Sequence, residues 1–224
     1  APGQFVTLEA QVEGEKLRRS YSICSSPAEY EASATLRVGI RRVTGGQFSN
    51  WANDQLRAGS DIDLLTPDGR FGIGFSSPER RHYLGIAGGS GITPILSILS
   101  HSLETQPHTK FTLVYGNRRM DSVMFNEALQ DLKDRFPYRL TLIHVLSRQA
   151  QEVPLLEGHI DADKVRELMR VFLPVNSMDE VFICGPEAMI EATEASLLAA
   201  GVKRERVHTE RFGSATAPQA TAPR

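Results

Sequence analysis

Cysteine and tryptophan are scarce in this chain, and long apolar runs are missing altogether. Its 224 residues include two cysteines and one tryptophan. Cys24 and Cys184 each lie inside an apolar, strand-like segment, which argues against a disulfide scaffold and for a reducing compartment such as the cytoplasm. Two thiols also fall short of the four that an iron–sulfur cluster takes. The six histidines, at 82, 101, 108, 144, 159 and 208, show no paired spacing, so no metal site is expected. No apolar stretch approaches the ~20 residues that span a bilayer. The opening, APGQFVTLEA, has no basic region before an apolar core, and so no signal peptide is read. A charge excess is missing too. Lys plus Arg number 25 against 27 Asp plus Glu, and a net charge of -2 gives no general attraction to nucleic acid or an anionic membrane.

What is present is an ordinary core, with 41% hydrophobic and 23% charged residues. The length exceeds the roughly 150 residues of a typical domain, so two are expected. From 4 to about 75 the segments are short and strand-like (QFVTLEAQV, LRRSYSICS, ATLRVGIRRV, SDIDLLTP), separated by Gly, Pro and Asp turns. That spacing predicts an antiparallel β-barrel or sandwich, interrupted by one short helix at SNWANDQLRA with Gly59 at its end. From 80 onward strands alternate with helices: HYLGIAG then TPILSILSHSLE, KFTLVYG then VMFNEALQDLKDRF, RLTLIHVLS then DADKVRELMRVFL, EVFICG then PEAMIEATEASLLAAG. This rhythm predicts a doubly wound parallel sheet. The expected domains are 1-78 and 79-212, with SSPERR (76–81) between them. The tail, 213-224, is small and Pro-rich and reads as a flexible linker.

The turn GIAGGSGITP (85–94) follows a strand and opens a helix. Gly88, Gly89 and Gly91 permit a tight turn and close approach of a ligand to the backbone. Thr93 is placed at the N-cap and Pro94 at the first helical position, leaving free N–H groups suited to a pyrophosphate. Arg118 and Arg119 end the next strand, and Ser147 and Arg148 the one after. Arginine at two neighbouring strand ends points to a 2'-phosphate and hence to NADPH, with a solvated charge cluster as the plainer reading. Cys184 ends a further strand, either as small core filler or as a thiol lining a reaction site. In the β-rich half, Arg19, Tyr21 and Ser22 offer a cation, a ring and a hydroxyl. Alternation sets Arg19 and Tyr21 on one face and Ser20 and Ser22 on the other. Gly45 and Gly46 lead to Ser49, placed at the N-cap of the short helix, a second candidate phosphate site. Together these fit a flavin dinucleotide.

Five motifs occur in order: R-x-Y-S (Arg19–Ser22), G-x-x-S (Gly46–Ser49), G-x-G-x-x-P (Gly89–Pro94), CGP (184–186) and ERF (210–212). In this order and spacing the chain resembles the ferredoxin–NADP reductase family from Pro2 to Phe212. Among its members it is most similar to reductase components of multicomponent oxygenases. The resemblance implies a six-stranded FAD barrel followed by a pyridine-nucleotide domain. It implies that Arg19 contacts the FAD pyrophosphate, Tyr21 the isoalloxazine and ribitol, and Ser22 the flavin N5 region. Gly46, Gln47, Phe48 and Ser49 would hold the pyrophosphate. Thr93, Cys184, Gly185 and Pro186 would surround the nicotinamide, with Gly89, Gly91 and Pro94 in the same loop. Glu210 and Phe212 would reach the flavin from the C-terminal side, so Ser22, Cys184 and Glu210 are the expected catalytic residues.

The implied activity passes electrons from NADPH, or NADH, through FAD to an iron–sulfur or oxygenase partner in aromatic-compound breakdown. Hydride transfer needs placement of nicotinamide over flavin at roughly 3 to 3.5 Å, and no strong acid–base pair. None of the motifs carries a Ser–His–Asp or paired-carboxylate constellation. The family's barrel has a strand that would precede Ala1, and similar reductases carry a plant-type [2Fe-2S] domain after the tether, so the chain is expected to be one module of a longer protein. Two other readings share these features: a free flavin reductase or diaphorase serving a diffusible acceptor, and a non-catalytic nucleotide-binding module.

Overall fold

A computed structural model describes residues 1–75 and 79–212. The expected tail, 213–224, and the first residues of the expected connection, 76–78, lie outside the described residues.

Strands β1 (Phe5–Val12) and β2 (Glu15–Ser22) form an antiparallel hairpin in register Phe5↔Ser22 to Val12↔Glu15. Its turn, Glu13-Gly14, has φ of 51° and 85°, the pair of positive values that matches strand twist in a tight hairpin. Alternation then sorts the side chains. Val6, Leu8 and Val12 are buried, while Thr7 and Ser20 meet on the other face at 2.9 Å. Strand β3 (Asp63–Leu64) adds to β1 in the order β2-β1-β3. The core of this half gathers Val6, Leu8, Ile23, Phe48 and Ala52.

The segment ATLRVGIRRV, read as a strand, is not one. It makes a single bridge, Ile23↔Val38, and then leaves the sheet. Cys24 N donates to Arg37 O within that bridge, but further on Ile40 O accepts from the Asn53 side chain instead of from a strand. Gly39 lies under Thr93 and Phe125, where a Cβ would come within 3.0 Å of both. The chain thus crosses to the second half instead of pairing. Ahead of it stands a helix that the sequence pattern did not suggest, α1 (Pro27–Ser33), with a capping box between Ser26 and Glu29 and Pro27 in its first turn. The short helix α2 spans Gln47–Gln55, starting three residues earlier than a cap at Ser49 would set it.

The second half is a five-stranded parallel sheet: β4 (His82–Gly88), β5 (Lys110–Asn117), β6 (Leu140–Leu146), β7 (Glu180–Cys184) and β8 (Val207–Glu210), in the order β6-β5-β4-β7-β8. Helices α3 (Ile92–Thr105) and α4 (Asn126–Arg135) pack on one face, and α5 (Ala162–Val171) and α6 (Glu187–Ala199) on the other. With both faces covered, the strand residues are almost continuously buried. The sequence pattern marks four of these strands. It misses β8 because VHTE is short and half polar. Cys24 and Phe71, from the β-rich half, share the core of α3, Phe111 and Phe182. Ser97 Oγ donates to Ser25 O at 2.7 Å within that contact. Consequently α3 is buried along nearly its whole length, and the end of β2 is brought to the ends of β7 and β8.

Candidate active site

The strand order reverses between β4 and β7, and α/β sheets bind ligands at the carboxyl ends of strands at such a point. The two turns there touch through their backbones. A Cβ on Gly91 would lie 2.1 Å from Cys184 O, a backbone atom that cannot swing aside, and one on Gly185 would come 3.0 Å from Gly88 N and press on the end of Met189. The glycine turn continues as a 3-10 segment, Gly89–Gly91, into α3 at Ile92. Thr93 is therefore the second residue of the helix and Pro94 the third, not cap and first residue. Thr93 Oγ1 donates back to Ser90 O at 3.0 Å, and no side chain caps the helix. Its first N–H, that of Ile92, donates back to Gly89 O and Ser90 O, so the turn and the helix form one continuous hydrogen-bonded run.

Beside this turn lies a cleft of about 590 Å³. Gly88, Gly89 and Pro186 line it from the switch point, and Asn117, Arg118 and Ser147 from the ends of β5 and β6. Arg119 does not line it; its Nε donates to Asp121 at 3.1 Å. Arg148 stands alongside, its N–H donating to Arg118 O at 2.8 Å. Sequence reasoning missed Arg41, His159 and Asp161, which also line the cleft. Arg41 comes from the β-rich half and places Nη1 2.8 Å from where a Cβ on Gly89 would be. Among the described residues it forms no ion pair. Read as part of a strand, it gave no signal that it would reach the other half.

At the same switch point three expected residues converge. Cys184 and Glu210 are register partners on β7 and β8. Ser22, at the end of β2, faces the Glu210 carboxyl. Burial pushes that carboxyl up to about 7, and the Ser22 hydroxyl pulls weakly the other way. Yet Ser22 Oγ and Glu210 Oε2 are both buried with no hydrogen-bond partner in the protein. Buried polar atoms are rarely left so, and an orphaned hydroxyl beside an orphaned carboxyl suits a polar ring edge. Burial, then the Glu210 charge, raises the Cys184 thiol well above its usual range, so it stays a neutral thiol.

The second candidate cluster lies on β2 and α2. Arg19 is half-buried, donates to its neighbour's carbonyl, Arg18 O, at 2.7 Å, and forms no ion pair among the described residues. Tyr21 shares its face and packs on Phe48 with ring centroids 5.8 Å apart. Gly46, not Ser49, is the N-cap of α2. Ser49 Oγ instead folds back, accepting from Val43 N at 3.3 Å and donating to Gly46 O at 3.4 Å. A Cβ on Gly46 would lie 2.6 Å from that hydroxyl. Phe48 is 1% exposed, its ring packed between Tyr21 and Trp51 in the core of this half. Phe212 is 44% exposed beyond β8, and the Arg211–Glu187 pair at 2.5 Å holds the segment against α6. An unpaired cation, an aromatic face, open helix N–H groups and orphaned polar atoms fit a flavin dinucleotide. The described residues contain no cluster of His, Cys, Asp or Glu able to hold a metal.

Fold and site define a two-part oxidoreductase built around a flavin and a pyridine nucleotide. Residues 1–73 match the oxidoreductase FAD-binding domain and residues 86–195 the oxidoreductase NAD-binding domain. The chain belongs to the ferredoxin–NADP reductase family. It is 42% identical over 213 residues to a subunit of the 1,2-phenylacetyl-CoA epoxidase of Escherichia coli K12, covering 95% of this chain and 59% of that one. It is 36% identical to the ferredoxin reductase component of 3-ketosteroid-9-alpha-monooxygenase from Mycobacterium tuberculosis, covering 96% of this chain and 55% of that one. The chain thus spans less than two thirds of the length of these relatives. Among solved structures, the Amycolatopsis cytochrome P450 reductase GcoB aligns with a TM-score of 0.78 at 26% identity, over 94% of this chain and 60% of that one. The FAD/NAD-binding domain of a Vibrio cholerae nitric oxide dioxygenase has the same fold, with a TM-score of 0.79 at 23% identity over 95% and 85% of the chains.

Proposed function

We propose that this chain is the reductase module of a longer protein, moving electrons from NADPH through FAD to an iron–sulfur domain or an oxygenase component. The observation that carries the reading is the meeting of Ser22, Cys184 and Glu210 at the switch point, with two buried polar atoms unpartnered. The relatives' names, a phenylacetyl-CoA epoxidase subunit and a monooxygenase reductase component, support an oxygenase as acceptor and phenylacetate breakdown as setting. The relatives are longer than the stretch matched here, which suits a further electron-accepting domain in the same protein. We assign residues 1–78 to FAD and 79–212 to the nucleotide, acting in the cytoplasm, without nucleic acid or membrane partners. Among the described residues no helix is long and apolar enough to cross a membrane.

A bound flavin supplies the ability to take two electrons at once and release them singly. The protein supplies placement. Arg19 neutralises the flavin pyrophosphate, together with the open N–H groups of Gln47, Phe48 and Ser49 at the start of α2. Tyr21 provides a stacking face, and Phe212 approaches from the C-terminal side. Cys184, small and neutral, and the bare backbone of Gly185 and Pro186 leave room for the nicotinamide, which Thr93 borders. Glu210 holds or releases a proton on Oε2 near neutral pH, beside the Ser22 hydroxyl. Arg41 and the glycine turn take the dinucleotide phosphates. Arg118 and Ser147, flanked by Arg119 and Arg148, take the 2'-phosphate. The test is the absorption spectrum of the purified chain. Flavin bands that NADPH bleaches faster than NADH are expected. A colourless protein that does not bind added FAD overturns the reading, and equal bleaching rates overturn the NADPH preference.

A further inference from the structure

Tyr115 belongs to none of the five motifs, yet its fully buried side chain reaches the glycine turn. It lies on β5 with no exposed surface, and its hydroxyl donates to Gly89 O at 2.9 Å. Burial raises its phenol to about 12, so it remains a donor at any working pH. Gly89 has φ of 53°, a left-handed conformation that a glycine enters and leaves at little cost. The carbonyl of the peptide between Gly89 and Ser90 is held by two donors, the Ile92 N–H that closes the 3-10 segment and the Tyr115 hydroxyl.

We propose that Tyr115 is a positioning residue that reinforces the 3-10 hydrogen bond from Ile92, fixing the direction of the Gly89–Ser90 peptide and so the anion-binding polarity of the turn. The reason is peptide geometry. In a trans peptide the C=O and the following N–H point in opposite directions. With Gly89 O drawn inward to Tyr115, the Ser90 N–H points outward, to the side on which Gly88 and Gly89 line the cleft. Turned over, the same peptide would set a carbonyl where a phosphate must sit. Thr93 Oγ1 steadies the next carbonyl, Ser90 O, at 3.0 Å, so two side chains orient two successive peptides. Arg41 stands over the same glycine and would meet a phosphate held there from the other side.

This inference rests on the cleft's being the nucleotide site, and the test separates the two. Binding of ADP, which carries the diphosphate, and of adenosine, which lacks it, is measured by calorimetry on the parent chain and on Tyr115→Phe. The parent is expected to bind ADP more tightly. Tyr115→Phe should weaken ADP about three- to tenfold, the worth of one hydrogen bond, and leave adenosine within twofold. The KM for NADPH should rise by a similar factor with kcat nearly unchanged. Thr93→Val, which frees the second carbonyl, should give the same ADP-selective loss and stands in if Tyr115→Phe folds poorly. ADP affinity unchanged in both variants overturns the inference alone, as does equal weakening of ADP and adenosine. A parent chain that binds neither overturns the nucleotide cleft and the inference with it.

Discussion

Glu210 carries the charge question of the site. Its carboxyl titrates at about 7 in the folded chain, against an ordinary 4.5, because burial penalises the ionised form. Between those values the unfolded chain has lost the proton while the folded chain keeps it. Folding stability must therefore fall as pH rises from about 4.5 to about 7, and stay lowered above that. A tenfold change in proton affinity between the two states is worth about 1.4 kcal/mol. Glu210→Gln, always neutral, should flatten this slope. Its melting temperature should exceed the parent's at pH 8, and the gap should close by about pH 4.5. A gap that persists at pH 4.5, or grows as pH falls, would show that the carboxyl is not held protonated. Arg41 illustrates the opposite situation at this scale: a cation whose place in the cleft depends wholly on where its loop goes.

At the scale of elements, the site is two turns pressed together. The α3 turn and the β7 turn approach so closely that a Cβ on Gly91 would meet Cys184 O at 2.1 Å and Gly185 N at 2.7 Å. Both are backbone atoms, so neither can swing aside. Gly91→Ala should cost about 1–3 kcal/mol through overpacking and should abolish ADP binding by separating the turns. Gly74→Ala is the control, since a Cβ there meets nothing within 4 Å. Denaturant titration and calorimetry of the two variants give the comparison. Equal stability and equal ADP affinity in both would mean that the contact between the turns is slack. Helix α2 shows how residue type alone misleads about capping. Ser49 is a good cap by residue type, but its hydroxyl is turned back onto the Val43–Gly46 loop, and glycine takes the boundary.

On the scale of the whole molecule, the two halves meet through polar contacts as well as apolar ones. Ser97 is 1% exposed and donates to Ser25 O; Gln106 Nε2 donates to Phe75 O at 3.0 Å. Ser97→Ala leaves a buried carbonyl unpaired at a cost of about 1–3 kcal/mol. Because Cys24 and Phe71 lie in the same core as α3, that loss should lower one shared unfolding transition. Parallel urea curves from tryptophan fluorescence, which reports on Trp51, and from far-ultraviolet dichroism are expected to coincide in parent and variant. Two separated transitions, with only one of them moved, would show that the halves fold independently.

The alternation of strands and helices after residue 80 was legible in the sequence, because its strands are continuously apolar and each runs into a patterned helix. The glycine turn and the CGP turn were legible for the same local reason: only residues without a Cβ, or with a fixed φ, tolerate such backbones. Strand β8 was not legible, since four half-polar residues become a strand only when β7 offers its edge. ATLRVGIRRV reads as a strand by composition, but after its one bridge to Ile23 it leaves the sheet and becomes the arm that carries Arg41. The tertiary structure alone decided that Ser22, 162 positions before Cys184 and 188 before Glu210, would end buried beside them. Local propensity acts over a few residues. The convergence of these three depends on α3 being packed between the two halves, a contact between segments far apart in the chain.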